Sequence, residues 1–266
     1  MTDWHPLRPL DDTTSTAWST YNEEAEKRAK NIPCAAMPSL DHLKMKDFEE
    51  VYEPSDDTYL LLDGLQHEIT TGTFSNSSSP LIAEIGCGTG VASVFLASQL
   101  FQQNQKHNKT DGMPMVIVTD INPKALQVAK ATAAGNNAMI PFEAVQCDLV
   151  SALLPRLAQS VDALIFNPPY VPTPDDEVGS TGIEASWAGG EKGRRVVDRA
   201  IPKMAQILAR PRGVAYMITV DDNEPEVLAT LFRELGLQMK PLVRRRAHNE
   251  FLTLQKITWT KIDSSG

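Results

Sequence analysis

Hydrophobic residues in this chain fall into short apolar runs that alternate with longer stretches of helical composition. Strand-length runs end at Gly86 ("LIAEIG"), Asp120 ("MVIVTD"), Asp148 ("PFEAVQCD") and Asn167 ("VDALIFN"), and a fifth is "GVAYMITV" at 213–220. Helix-forming stretches cover 90–101, 123–136, 193–209 and 224–235, and two further strands close the chain at 237–246 and 250–259. A strand that feeds a helix and then another strand builds a doubly wound sheet, so the pattern predicts an α/β domain with a mostly parallel, seven-stranded sheet. Ligands of such sheets bind beyond the carboxyl ends of the strands. Gly86, Asp120, Asp148 and Asn167 all stand there and define one crevice.

Residues 1–36 do not share this pattern. "DDTTSTAWST" and "YNEEAEKRAK" are polar and offer little apolar face, so 1–36 is expected to be a partly disordered arm ahead of a domain spanning 37–266. "TFSNSSSP" (73–80) and "QQNQKHNKTDG" (102–112) read as surface loops.

At 266 residues and 42% hydrophobic, the chain suits one large domain with an ordinary core. A net charge of −9 disfavours a nucleic-acid partner, which calls for a basic face; the "VRRRAH" stretch (243–248) reads as a solvated strand end. Cys34, Cys87 and Cys147 are scattered and form no CxxC, so no zinc site is expected and a reducing compartment is. With neither a membrane-length apolar run nor a secretory signal, the expected location is the cytoplasm, and a nuclear pool is compatible with the same features.

Two motifs carry the chemistry. "EIGCGTGV" (84–91) is a glycine-rich turn after a strand, but a dinucleotide fingerprint needs its third glycine where Val91 stands, and a P-loop needs Gly-Lys-Ser/Thr. Gly86-x-Gly88-x-Gly90 fits neither; it resembles motif I of the class I S-adenosylmethionine-dependent methyltransferases, which implies a cofactor without phosphates whose amino-acid end lies against bare glycine backbone. Asp120, at the next strand end, suits a ribose diol; it comes about ten residues later than the usual interval of ~20, and the 102–112 insertion accounts for the excess. Asp148 or its neighbouring backbone then meets an adenine edge.

In "NPPY" the two prolines hold Asn167 and Pro168 in extended geometry, so the Asn167 side-chain oxygen and a backbone carbonyl aim at one point. Two fixed acceptors recognise an NH₂ group. Positive charge develops on an amide nitrogen as it is alkylated, and preorganised carbonyl dipoles stabilise it most at that moment. Tyr170 is expected to stack on the planar amide or base.

These motifs resemble the class I S-adenosylmethionine-dependent methyltransferases that act on amides and amines. "VYEPSDDTYLLLDGL" (51–65), "FNPPYVPTP" (166–174) and "EVGSTGIEASWAGGEKGRRVVDR" (177–199) are closely similar to the eukaryotic HemK-like release-factor glutamine methyltransferases, over residues 45–258. The resemblance implies S-adenosylmethionine as cofactor, without a metal, and methylation at N5 of the glutamine in the Gly-Gly-Gln loop of the class 1 translation termination factor. It places Thr58, Glu84, Gly86, Cys87, Gly88, Gly90, Asp120, Ile121, Asp148, Leu149 and Asn167 around the cofactor, and Asn167, Pro168, Pro169 and Tyr170 at the reacting nitrogen. Tyr52 and Pro54 are expected in a lid, and Trp187–Gly190 beside the substrate opening. The family also implies a heterodimer with a small zinc-binding activator; "PFEAVQC" (141–147) is the expected docking strand, an edge with few charges to protect it. Readings that stay open are N6-adenine methylation of DNA or RNA, protein lysine methylation, and a non-catalytic scaffold of the same fold.

Overall fold

The computed structural model describes residues 12–75, 79–106, 112–137, 139–179 and 182–260. Its seven strands are β1 (Leu81–Ile85), β2 (Met115–Asp120), β3 (Phe142–Gln146), β4 (Ala163–Phe166), β5 (Val214–Thr219), β6 (Leu237–Ala247) and β7 (Glu250–Trp259). They form one sheet in the order β3-β2-β1-β4-β5-β7-β6. The first five strands run parallel and β7 runs antiparallel to both β5 and β6. Central strands β4 and β5 are buried at every position, as a strand covered on both faces must be.

Six helices cover the sheet: α1 (Asp12–Ala29), α2 (Asp56–Thr70), α3 (Val91–Lys106), α4 (Pro123–Asn137), α5 (Arg195–Ile207) and α6 (Pro225–Glu234). Leu61 and Leu65 of α2, Phe95 and Leu96 of α3, and Leu126 of α4 pack with Ile82, Val118 and Ile165 in one core. Val197 and Ile201 of α5, Leu228 and Phe232 of α6, and Trp18 of α1 pack with Ala83, Ile85 and Leu164 in a second core on the opposite face. No described helix is long and apolar enough to cross a membrane.

Three elements differ from the sequence expectation. Within the arm of 1–36, residues 1–11 lie outside the described ones, and Asp12–Ala29 is a helix on the sheet. Trp18, Tyr21 and Ala25 fall on one helical face; Trp18 and Ala25 are buried, and β6 supplies cations that a reading of the arm alone cannot see. Lys240 lies over the Tyr21 ring at 4.9 Å, Arg244 Nε donates to Glu26 at 3.1 Å, and Arg28 donates to the Leu242 carbonyl. Helix α2 is the second difference, its Leu60–Leu62 run being buried all round rather than on one stripe. Third, α3 continues to Lys106, so the insertion begins as helix; 107–111, like 76–78 of the other expected loop, lie outside the described residues.

Candidate active site

The carboxyl ends of β1, β2, β3 and β4 converge on one cavity of about 440 Å³. Register brings its parts together: Ile85 pairs with Phe166, which sets the glycine turn beside Asn167, and Asp120 pairs with Gln146, one residue short of Cys147 and Asp148.

Gly86, Gly88 and Gly90 all have positive φ (61°, 49° and 74°), a conformation that favours glycine. They do different work. A Cβ on Gly86 or Gly88 would meet nothing within 4 Å, whereas one on Gly90 would stand 2.8 Å from the Ala129 Cβ. Gly86 and Gly88 leave bare backbone open to the cavity; Gly90 instead lets α3 approach α4 and is not in the cavity wall.

Two carboxyl groups face the cavity from behind this turn. Glu84 is buried, accepts the Ser93 N–H at 3.2 Å, and is pushed up to about 7 by desolvation, with nearby Asp120 adding to the rise. Asp120 is also raised by burial, although the Gly88 and Asn122 N–H groups hold its two oxygens at 3.1 and 2.9 Å. One buried and one half-buried acid in a single cavity favour a cationic ligand, which would ionise both. Thr58, Cys87, Ile121 and Leu149 are in the wall. Asp148 is there too, half exposed, but its carboxylate pairs with Arg199 of α5 instead of standing free for an adenine edge.

The NPPY turn differs from its sequence reading. Asn167 and Pro169 line the cavity; Pro168 and Tyr170 do not. Tyr170 turns away, packs on the first core and donates its hydroxyl to Asp57 Oδ2 at 3.2 Å, so it is not placed to stack on a substrate.

Asp57, in the first turn of α2, is the residue that sequence reasoning missed. It is buried, and Asn167 Nδ2 donates to its Oδ2 at 3.0 Å. The Tyr52 hydroxyl lies 3.1 and 3.0 Å from its two oxygens, and Thr58 donates through both its N–H and its hydroxyl. Burial and the Asp57 charge hold both phenols far above their usual range, so they remain protonated donors. A carboxylate accepts only, so the Asn167 amide must turn its NH₂ to Asp57 and its oxygen the other way. That oxygen, Oδ1, is buried with no partner among the described residues, so it stands as an acceptor for a donor from outside the chain, such as an NH₂ group. The signal in the sequence was the second acid of "SDDTY".

The outer wall comes from Glu50, Val51 and Tyr52 on one side and Val178, Ile183, Ala185 and Ala188 on the other. Pro54 is not in it, and Trp187, about one third exposed, stands near its edge. Among the described residues, no group of three His, Cys, Asp or Glu could hold a metal ion.

Residues 57–184 match the methyltransferase small domain family. Human Methyltransferase HEMK2 is 41% identical over 223 residues, covering 84% of this chain and 96% of that protein. The eRF1 methyltransferase catalytic subunit mtq2 of Schizosaccharomyces pombe is 34% identical and covers 83% of this chain and 94% of its own length. Among solved structures, the E. cuniculi Mtq2-Trm112 complex matches with a TM-score of 0.54 at 26% identity, over 79% of this chain and 99% of that one. Sequence, sheet order and the orphaned asparagine oxygen agree: this chain belongs to the HEMK2 family of HemK-like, class I methyltransferases.

Proposed function

We propose that this chain is the catalytic subunit of a protein glutamine N5-methyltransferase whose substrate is the Gly-Gly-Gln glutamine of the translation termination factor eRF1. The observation that carries the reading is the buried Asn167 Oδ1, held by Asp57 and left without a donor. When bound, S-adenosylmethionine supplies an electrophilic methyl on a sulfonium. The chain's own residues do the rest. Asn167 Oδ1 accepts one hydrogen of the substrate amide and a carbonyl of the NPPY turn accepts the other, which directs the nitrogen lone pair at the methyl. As the new N–C bond forms at the expense of the methyl's bond to sulfur, which would leave as a neutral thioether, charge grows on that nitrogen; these fixed dipoles stabilise it without reorganising, and the methylated nitrogen, now strongly acidic, gives its surplus proton to water.

Gly86 and Gly88 admit the amino-acid end of the cofactor against their backbone, with Glu84 and Asp120 as its anionic surroundings. Asp120 is read as the ribose acceptor. Asp120→Ala is therefore expected to weaken S-adenosylmethionine binding about ten- to a hundred-fold, through loss of hydrogen bonds to a charged acceptor. Isothermal calorimetry checks this, and an unchanged dissociation constant would place the ribose elsewhere.

A glutamine is favoured over an adenine because the NPPY aromatic is tied to Asp57 outside the cavity, and because the chain carries a net −9 charge. The deciding experiment is fragment mass spectrometry of eRF1 after incubation with S-adenosylmethionine and the co-expressed complex. One methyl on the Gly-Gly-Gln glutamine supports the reading; transfer only to a lysine or to nucleic-acid adenine overturns it.

The relative from E. cuniculi is a complex with Trm112, and we propose that an activator subunit, small and zinc-binding, docks here on the outer edge of β3, the last strand of the sheet among the described residues. Arm helix α1 contacts β6 and α6, at the far end of the sheet, and leaves β3 uncovered by it. Val116 N–H donates to the Pro141 carbonyl and Cys147 N–H to the Asp120 carbonyl, so odd-numbered residues of this strand pair inward. Alternate residues of a strand bond to opposite sides, which leaves Phe142, Ala144 and Gln146 facing an added strand. Ala144→Pro removes one outward N–H without touching the inner ladder. It is expected to abolish co-purification of the activator while cofactor binding persists; retained co-purification would exclude this edge.

A further inference from the structure

Strand β5 delivers a 3₁₀ turn, Asp221–Asn223, to the same end of the sheet as the NPPY turn. Asn223 is fully buried and its amide is completely used. Oδ1 accepts the Val220 N–H at 2.8 Å, while Nδ2 donates to the Tyr170 carbonyl and the Lys192 carbonyl, each at 2.9 Å. Those carbonyls belong to two segments far apart in the chain, the NPPY turn and the loop around 189–193.

Between these segments there is no room for side chains. A Cβ on Gly193 would lie 1.8 Å from the Tyr170 oxygen and 2.6 Å from Asn223 Nδ2, and one on Gly189 would lie 2.5 Å from the Pro169 oxygen. Backbone bonds already join the segments, Val171 N–H to the Trp187 carbonyl at 3.1 Å and Gly189 N–H to the Val171 carbonyl at 2.9 Å; the Tyr170 and Lys192 carbonyls converge beside them and would repel without a donor between them, which the Asn223 amide supplies. The next residue, Glu224, is left-handed (φ 51°), and its carboxylate takes Lys192 Nζ at 2.7 Å and Arg194 Nη1 at 3.0 Å. The same loop is thereby tied twice. Neither Asn223 nor Glu224 lines the cavity.

We infer that Asn223 is a positioning residue for methyl transfer: it clamps the Tyr170 end of the NPPY turn to the 189–193 loop, as Asp57 clamps the Asn167 end. The NPPY turn is then held from two sides, by Asp57 and by Asn223, and neither of them lines the cavity. The role in transfer rests on the glutamine methyltransferase reading; the clamp itself does not.

Asn223→Asp separates the two halves of the amide. It keeps an acceptor for Val220 but turns a carboxylate oxygen toward the two carbonyls in place of the donor. In the co-expressed complex with saturating S-adenosylmethionine, amide hydrogen exchange of Tyr170 and Val171 and of 188–194 is expected to rise about ten-fold or more, because the opening free energy of that unit falls. The cofactor dissociation constant is expected to stay within about two-fold while kcat on eRF1 falls about ten-fold or more, since a displacement of order 1 Å is costly at a transferring centre. A merely structural residue would lower cofactor affinity and activity together. Glu224→Gln, at a partly exposed site, is the milder variant, with the same exchange change expected on a smaller scale. Wild-type exchange in both segments, or wild-type kcat at full cofactor occupancy, overturns the inference; absence of glutamine transfer by the unmodified complex overturns the functional reading alone, because the exchange result still reports on the clamp.

Discussion

Asn167→Ala is expected to leave S-adenosylmethionine affinity within about three-fold and to cut kcat for glutamine methylation by about 10²–10³-fold, the usual cost of deleting one preorganised dipole at a transition state. Its Oδ1 is buried and has no partner among the described residues, so none of their hydrogen bonds depends on that oxygen. The amide nitrogen is different, because it donates to Asp57 at 3.0 Å and its loss leaves Asp57 one donor fewer. Tyr52, Tyr170 and Thr58 still serve that carboxylate, so the variant is expected to fold. Single-turnover kinetics beside calorimetric titration of the cofactor separate the two effects. Turnover at the wild-type rate would remove Asn167 from the reaction.

The second large effect is expected at Asp57, which sequence analysis did not single out. Asp57→Asn preserves size but gives the site an NH₂ of its own. Asn167 then gains by flipping its amide, pointing its oxygen at the new donor and its NH₂ into the cavity. A donor would meet the substrate's donor, so the predicted loss is about 10²-fold in kcat, close to that of deleting the Asn167 acceptor outright. One neutral carbonyl would also have to replace a carboxylate shared by Tyr52, Tyr170 and Thr58 in a buried place, and each unsatisfied donor costs about 1–3 kcal/mol. A lower melting temperature should accompany the activity loss, whereas Asn167→Ala should show the activity loss with less destabilisation. Thermal unfolding together with kcat for both variants tests the pair. Asp57→Asn with normal kcat would show that the Asn167 amide is oriented by something else.

The parts of this protein legible in the sequence are those that a short window encodes. Apolar runs marked the central strands, because a strand buried on both faces must be apolar along its length, as "ALIF" and "VAYMIT" are. Strand-end motifs located the crevice, because a turn's conformation depends on its own glycines and prolines: Gly86, Gly88, Asp120 and Asn167 all meet there. Helix α1 was not legible, since its apolar face of Trp18, Tyr21 and Ala25 is narrow and the cations that complete it come from β6.

Within the site, sequence alone determined which residue types stand at the strand ends, and tertiary structure decided their partners. "NPPY" implied that Asn167 presents an acceptor, but the group that turns its oxygen outward lies 110 residues earlier, in a helix on the sheet's face. Tyr170 had the right position to stack on a substrate and was instead drawn to the same carboxylate; Gly90 had the right spacing for a cofactor turn and is spent on Ala129. Asp148 is paired by Arg199, from a helix on the opposite face to α2. For Asn167, Tyr170 and Asp148 the physical reason is common. Local patterns set backbone geometry, while the direction in which a polar side chain points is set by the nearest charge or donor in space, and strand register across the sheet chooses that neighbour.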